Sequence, residues 1–178
     1  MHALVEMNQL WLRQATALLR QITPAQFLEP PRGLAPHRVA SQVRHVVEFY
    51  ECFLAGLDLG HVNYDGRARD ARIEASPSAA IERIDAIVKR LGSLRSAKAD
   101  ATLLITMEDA PARGIAAPLL SSSVGRELMA LSSHTIHHFA LVAITLRAHG
   151  VHVHADFGVA PSTLSFRATQ ARPLPEAA

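Results

Sequence analysis

Cysteine and aromatic residues are scarce in this chain: one Cys, and Phe, Trp and Tyr together at 5% of 178 residues. A lone Cys52 cannot close an internal disulfide, which excludes a staple-held secreted scaffold and fits a reducing cytosol. The formal net charge is only +2, and the arginines are scattered among Glu and Asp. Nothing therefore forms the basic stripe with interleaved rings that tracks a nucleic acid. No run reaches the ~18 uninterrupted apolar residues of a membrane span, because "FALVAITL" is stopped by Arg147 and His149. The first residues lack the basic, apolar and small-residue succession of a signal peptide. Phosphate-binding glycine loops, dinucleotide fingerprints and Ser or Cys nucleophile motifs are missing too. A cytoplasmic protein with neither a nucleic-acid nor a membrane partner is the expectation.

What is present is helical periodicity, in a length that suits one domain. Residues 3 to 22 place Leu4, Met7, Trp11, Leu18, Leu19 and Ile22 on one stripe, with Asn8, Gln9, Arg13, Arg20 and Gln21 largely opposite. Pro24, Pro30, Pro31, Gly33 and Pro36 then make a connecting loop, with room for one turn near Gln26. From about His37, Val39, Val43, Val46, Val47, Tyr50, Phe53, Leu54 and Leu57 share a face until Gly60 closes the second helix. "HVNYDGRARDARIEA" is polar and without a clear period. The third helix opens on Ser76 as cap and Pro77 at its first position, and carries Ile81, Ile84, Val88, Leu91 and Leu94 at helical spacing.

"TLLITMEDAPARGIAAPLL" is partly β-branched and broken by Pro111, Gly114 and Pro118, so it reads either as a small hairpin or as an irregular excursion. The fourth helix spans Ser123 to Ala148 and stops at Gly150. Its second half is apolar almost all round, which buries it inside a bundle or at a two-fold dimer interface. "FGVAPSTLSF" reads as a short packed segment, and the end of the chain as a loose tail. The predicted class is all-α: a four-helix bundle with long 2–3 and 3–4 connections, one domain over 1–167, and a tail over 168–178.

"SSHTIHHFALV" sets three histidines within five positions of the fourth helix. Taking His134 as zero, His138 falls near ~40°, His137 near ~300° and Glu127 near ~20° two turns earlier. His134 and His138 therefore stack one turn apart, a spacing by which one helix offers two imidazoles to a single ion. The third ligand has to come from elsewhere, and His45 is the only histidine well inside another predicted helix, at the edge of that helix's apolar stripe. The plain alternative is a set of polar residues satisfied at a bundle surface. Convergence on a metal is one of the few arrangements that offset the burial of three imidazoles.

"VRHVVEFYECFL" and "RELMALSSHTIHHFALVAITLRAHG" resemble the two signature helices of the DinB-like superfamily, and the order of helices and connections is similar over essentially the whole chain. That resemblance implies a bundle holding a divalent metal through one histidine of the second helix and a His-x-x-x-His pair of the fourth. On this chain these are His45, His134 and His138, with water or substrate completing the coordination. His137 is then spare. Glu127 could orient an imidazole or serve as a first-turn carboxylate facing the helix dipole. His152 and His154 belong to a loop beyond the helix, and Cys52 packs as a small apolar residue.

Three neutral imidazoles with an open position suit Zn²⁺ and tolerate Ni²⁺, Fe²⁺ or Mn²⁺. Such an ion makes a nucleophile of bound water or thiol near neutral pH. The DinB-like superfamily includes thiol-dependent S-transferases and isomerases. The resemblance thus implies thiol transfer or detoxification with a low-molecular-weight thiol and a small-molecule substrate, with metal-assisted hydrolysis next. The rival classes are a non-catalytic metal- or ligand-binding stress-response protein and a metal-free helical homodimer. Arg67, Arg69 and Arg72 could meet an anionic substrate, but a solvated loop with ion pairs to Asp65, Asp70 and Glu74 explains them equally.

Overall fold

The computed structural model describes residues 1–34, 36–107 and 114–170. Its helices are α1 (His2–Leu19), α2 (Pro24–Leu28), α3 (Val39–Gly56), α4 (Pro77–Gly92), α5 (Val124–Ala148) and α6 (Pro161–Gln170). Three short strands, β1 (His61–Asn63), β2 (Thr102–Thr106) and β3 (Leu119–Ser123), form one sheet in that order. Single 3₁₀ turns at Ala71–Glu74 and Ser93–Ser96 complete the regular structure.

The helix starts follow local chemistry. Ser76 Oγ accepts from Ala79 N–H with Pro77 at the first position, and Ser123 Oγ accepts from Arg126 N–H. Each satisfies one of the N–H groups that a helix start leaves without an internal partner. α2 carries a full capping box, in which Thr23 and Gln26 each accept the other's backbone N–H. α1 packs on α4 and α5, and α3 packs on the same two helices, so the four long helices close around one apolar cluster. By length and composition α5 could also cross a membrane, but here it lies against α1 and α3.

Several expectations need correction. Asn8 and Gln9, placed on the polar face of α1, are buried, whereas Met7 from the apolar stripe is 38% exposed. Tertiary hydrogen bonds decide this. Asn8 Nδ2 donates to the carbonyls of Leu4 and Leu128, its Oδ1 accepts from Tyr50 Oη at 2.6 Å, and Gln9 Nε2 donates to the Val88 carbonyl. The Thr135 hydroxyl donates to the Leu131 carbonyl and lies 3.1 Å from Tyr50 Oη, so one buried polar network ties α1, α3 and α5 together.

The connection after α3, read as aperiodic, supplies β1, which pairs in parallel with β2 (His61 opposite Leu104). The segment left open between hairpin and excursion forms an antiparallel pair, Thr102 opposite Ser123 and Thr106 opposite Leu119. Pairing of the two halves satisfies their backbone N–H and C=O groups. Pro111 lies outside the described residues. The expected packed segment "FGVAPSTLSF" is divided: Phe157 is buried and stacks on Phe139 at 5.2 Å, whereas Phe166, on α6, is 62% exposed. Of the tail over 168–178, the first three residues finish α6 and the rest lie outside the described residues. Ile144 of α5, placed in its all-round apolar half, is 53% exposed.

Gly158 lets the C-terminal loop lie on α5. Its φ is +71°, and a Cβ there would come within 2.5 Å of Ala140 N and 2.6 Å of Phe139 C. Gly150, at φ +76°, has open space around the same position. Gly150→Ala should therefore carry only the left-handed backbone penalty, about 1 to 2 kcal/mol. Gly158→Ala should lose clearly more, because helix backbone cannot yield. Paired urea unfolding of the two variants measures the difference, and equal losses would contradict the close approach.

Candidate metal centre

The centre forms where α3 faces α5. His45 projects from α3 one turn after Gln42 and one turn before Phe49, while His134 and His138 project from successive turns of α5. His45 Nε2 lies 3.1 Å from His134 Nε2, and His138 Nε2 lies 3.1 Å from the same atom. Ligand atoms of the three residues all fall within 4.8 Å of one another. Two nitrogens bound to one zinc at ordinary bond lengths and a tetrahedral angle would stand about 3.3 Å apart.

Hydrogen bonding among the rings cannot account for this convergence. A ring nitrogen presents in its plane either one hydrogen or one lone pair. His134 Nε2 has two imidazole nitrogens at 3.1 Å, and a single hydrogen can serve only one of them. A cation where three lone pairs meet would serve all three. Gln42 adds a second sign. Its Oε1 lies 2.6 Å from His138 Nδ1 and accepts a hydrogen there, which leaves the lone pair on Nε2, the atom turned to the centre. His134 Nδ1 is buried and has no hydrogen-bond partner among the described residues.

All three histidines titrate well below the ordinary imidazole range, each at about 4. Burial is the main cause for each, followed by the repulsion that a second positive charge would meet: from His138, Arg67 and Arg44 at His45, from His45, His137 and Arg67 at His134, and from His134 and His137 at His138. The rings are consequently neutral near pH 7, the form that donates to a metal. The donor set, its convergence and its protonation fit a first-row divalent ion.

Phe49 forms a wall of the centre, with ring centroids 4.8 Å from His45 and 4.1 Å from His134. It stacks on Tyr64 at 5.2 Å, and the Arg67 guanidinium sits over the Phe49 ring, 4.7 Å from its centroid. Arg67 also donates to the Tyr64 carbonyl at 2.7 Å. Beside the centre opens a cleft of about 810 Å³, lined by His134, Phe49, Tyr64 and Glu127 and walled by Ile105, Leu120 and Leu131. The sheet closes one side of this cleft, since β3 runs straight into α5 at Ser123.

The remaining sequence candidates separate clearly. Glu127 touches no imidazole; it is 6% exposed and accepts from Tyr64 Oη at 2.9 Å and Ser122 Oγ at 2.5 Å. His137 is exposed, its ring centroid 5.1 Å from that of His138. His152 and His154 are exposed beyond α5. Cys52 is half-buried, and burial pushes its thiol up, away from nucleophilic ionisation. In the arginine loop, Arg72 pairs with Asp70, as the ion-pair reading expects, whereas Glu74 takes Arg38 and Arg44 from outside the loop and Arg67 lies over Phe49 beside the centre. Gln42, Phe49 and Tyr64 went unnoticed in the sequence. The first two lie one turn either side of His45, so their helical spacing was the available signal; Tyr64 had none.

Fold and site together define a mainly helical protein in which two facing helices gather three neutral histidines at metal-binding distance. No family model matches the chain. It is similar to FK506-binding protein 5 of Rhizopus delemar, 37% identical over 103 residues, a match covering 58% of this chain and 26% of that protein. The chain thus spans about a quarter of the length of the curated relative it matches.

Two outcomes are expected. Gln42→Leu removes the acceptor that orients His138 and should weaken divalent-metal affinity about 10- to 100-fold, read by competition with a chromophoric chelator. The histidine pKa values lie below the unfolded 6.5, so the unfolded chain binds more protons between that value and about 4. Metal-free protein should therefore lose stability as pH falls through this window and level off below it. Urea midpoints across the range check the slope, and Gln substitution of the three histidines should flatten it.

Proposed function

We propose that this chain is a divalent-metal-dependent enzyme of the DinB-like type, a four-helix bundle in which His45, His134 and His138 hold the ion. The observation that carries this reading is the meeting of three Nε2 lone pairs that no arrangement of ring hydrogens can satisfy. Zinc suits the all-imidazole set, and nickel, iron or manganese are compatible with it. When bound, such an ion lowers the pKa of a water or thiol ligand toward neutrality and supplies a nucleophile.

The chain's own residues do the rest. Gln42 holds the His138 ring in the ligating tautomer, and Phe49 shields one side of the His45 and His134 rings. The apolar walls formed by Ile105, Leu120 and Leu131 receive the body of a small electrophile beside His134. Arg67, held over Phe49, favours an anionic group near the reacting atom, as on a low-molecular-weight thiol carrying a carboxylate. S-transfer from such a thiol, of a detoxification kind, is the proposed reaction, ahead of metal-assisted hydrolysis. A cytoplasmic setting suits both the thiol and the unpaired Cys52. Exposed Met129 and Ile144 on α5 favour self-association as a homodimer.

Metal analysis of purified protein tests the first step: about one ion per chain is expected, and its loss in both His45→Ala and His134→Ala. A panel of thiols with electrophilic acceptors tests the second. Turnover lost in folded variants makes the ion catalytic; bound metal without turnover across the panel, with water or thiol as nucleophile, makes the chain a binding protein. Metal-free wild type would end the reading.

A further inference from the structure

Glu127 poses a question that the metal centre does not answer. It is a carboxylate with 6% exposure on the wall of the cleft. Its hydrogen-bond partners are two neutral hydroxyls, Tyr64 Oη and Ser122 Oγ, and no cation pairs with it among the described residues. Burial and the neighbouring Glu127 hold the Tyr64 phenol far above its ordinary range, so it stays protonated and keeps its hydrogen for the carboxylate. A buried carboxylate without a counter-ion is costly, and the dipole of the first turn of α5 offsets only part of that.

Its place matters as much as its charge. Glu127 and His134 are seven positions apart on nearly one line of α5, hence about 10 Å apart along the helix axis. Both line one cleft, together with the apolar side chains of Leu131, Ile105 and Leu120. The cleft thus presents His134, one member of the three-histidine centre, and a carboxylate fixed by two hydroxyls, with apolar side chains also in its lining. Carboxylate oxygens have room for further donors beyond the two they accept here. Arg126 also lines the cleft, but it is exposed and its field is screened by solvent.

We infer that Glu127, oriented by Tyr64 and Ser122, is a substrate-recognition residue that takes a protonated amine at the end of the cleft remote from the three histidines. The ligand class is an elongated molecule of about 10 Å with an apolar body and a terminal ammonium group. This deepens the proposed function by naming the distal group of its substrate, and it rests on that reading only for the reacting end.

The test uses the intact protein and two probes that need no metal, phenylbutylamine and the neutral phenylbutanol, titrated by calorimetry near neutral pH. Wild type should bind the amine at least ~10-fold more tightly than the alcohol, the size of one charge-assisted hydrogen bond in a dry site. In Glu127→Gln, isosteric and able to keep a hydroxyl contact, the two probes should bind alike. Leu120→Trp, at an exposed wall position, should block both and so locate the site even if the Gln variant fails to fold. His134→Ala should keep the amine preference while losing metal, which separates failure of this inference from failure of the metal reading. No preference in wild type, preference retained in Glu127→Gln, or undiminished binding in Leu120→Trp would overturn it.

Discussion

The structure turns on the contact between α3 and α5, where three uncharged imidazoles point their nitrogens at one spot. Neutral rings are what burial enforces there, because a second or third positive charge beside the first would be repelled in a poorly solvated space. The same neutrality makes them good donors to a cation. Packing of the two helices and capacity for metal are therefore one constraint seen from two sides. Anything that separates α3 from α5 removes both.

Around that contact the fold places groups of graded polarity. Gln42 fixes one ring from the far side, Phe49 and Tyr64 wall off solvent, and Arg67 reaches back from the loop after β1. The small sheet is the part that turns a helical core into one with a cleft. β3 delivers the chain into the first turn of α5, so Ser122 and Glu127 meet at the cleft's far end. The cleft has a chemical direction as a result, from nitrogen donors through apolar walls to a carboxylate.

Buried polar residues do structural service elsewhere. Asn8, Tyr50 and Thr135 join α1, α3 and α5 through hydrogen bonds inside the core, and the Tyr50 phenol is pushed up by its complete burial. Such a network rewards one relative placement of the helices over others, because a shifted helix would strand its donors. It backs the α3 and α5 alignment, with Thr135 one position after His134 and Tyr50 five positions after His45.

Periodicity and end signals were enough to place the long helices, since capping by Ser76 and Ser123 and the stripe of α3 depend on neighbours along the chain. The i, i+4 pair His134 and His138 was legible for the same reason, and His45 was the remaining helical candidate. What sequence alone could not reach were the pairs distant in the chain: Asn8 buried against Leu128, β1 beside β2, Gln42 on His138, Glu127 taken by Tyr64 and Ser122. Local spacing determines which residues share a helix face. Which faces meet is decided by packing and by the partners that each polar group finds when water is excluded, and only the tertiary structure holds that information.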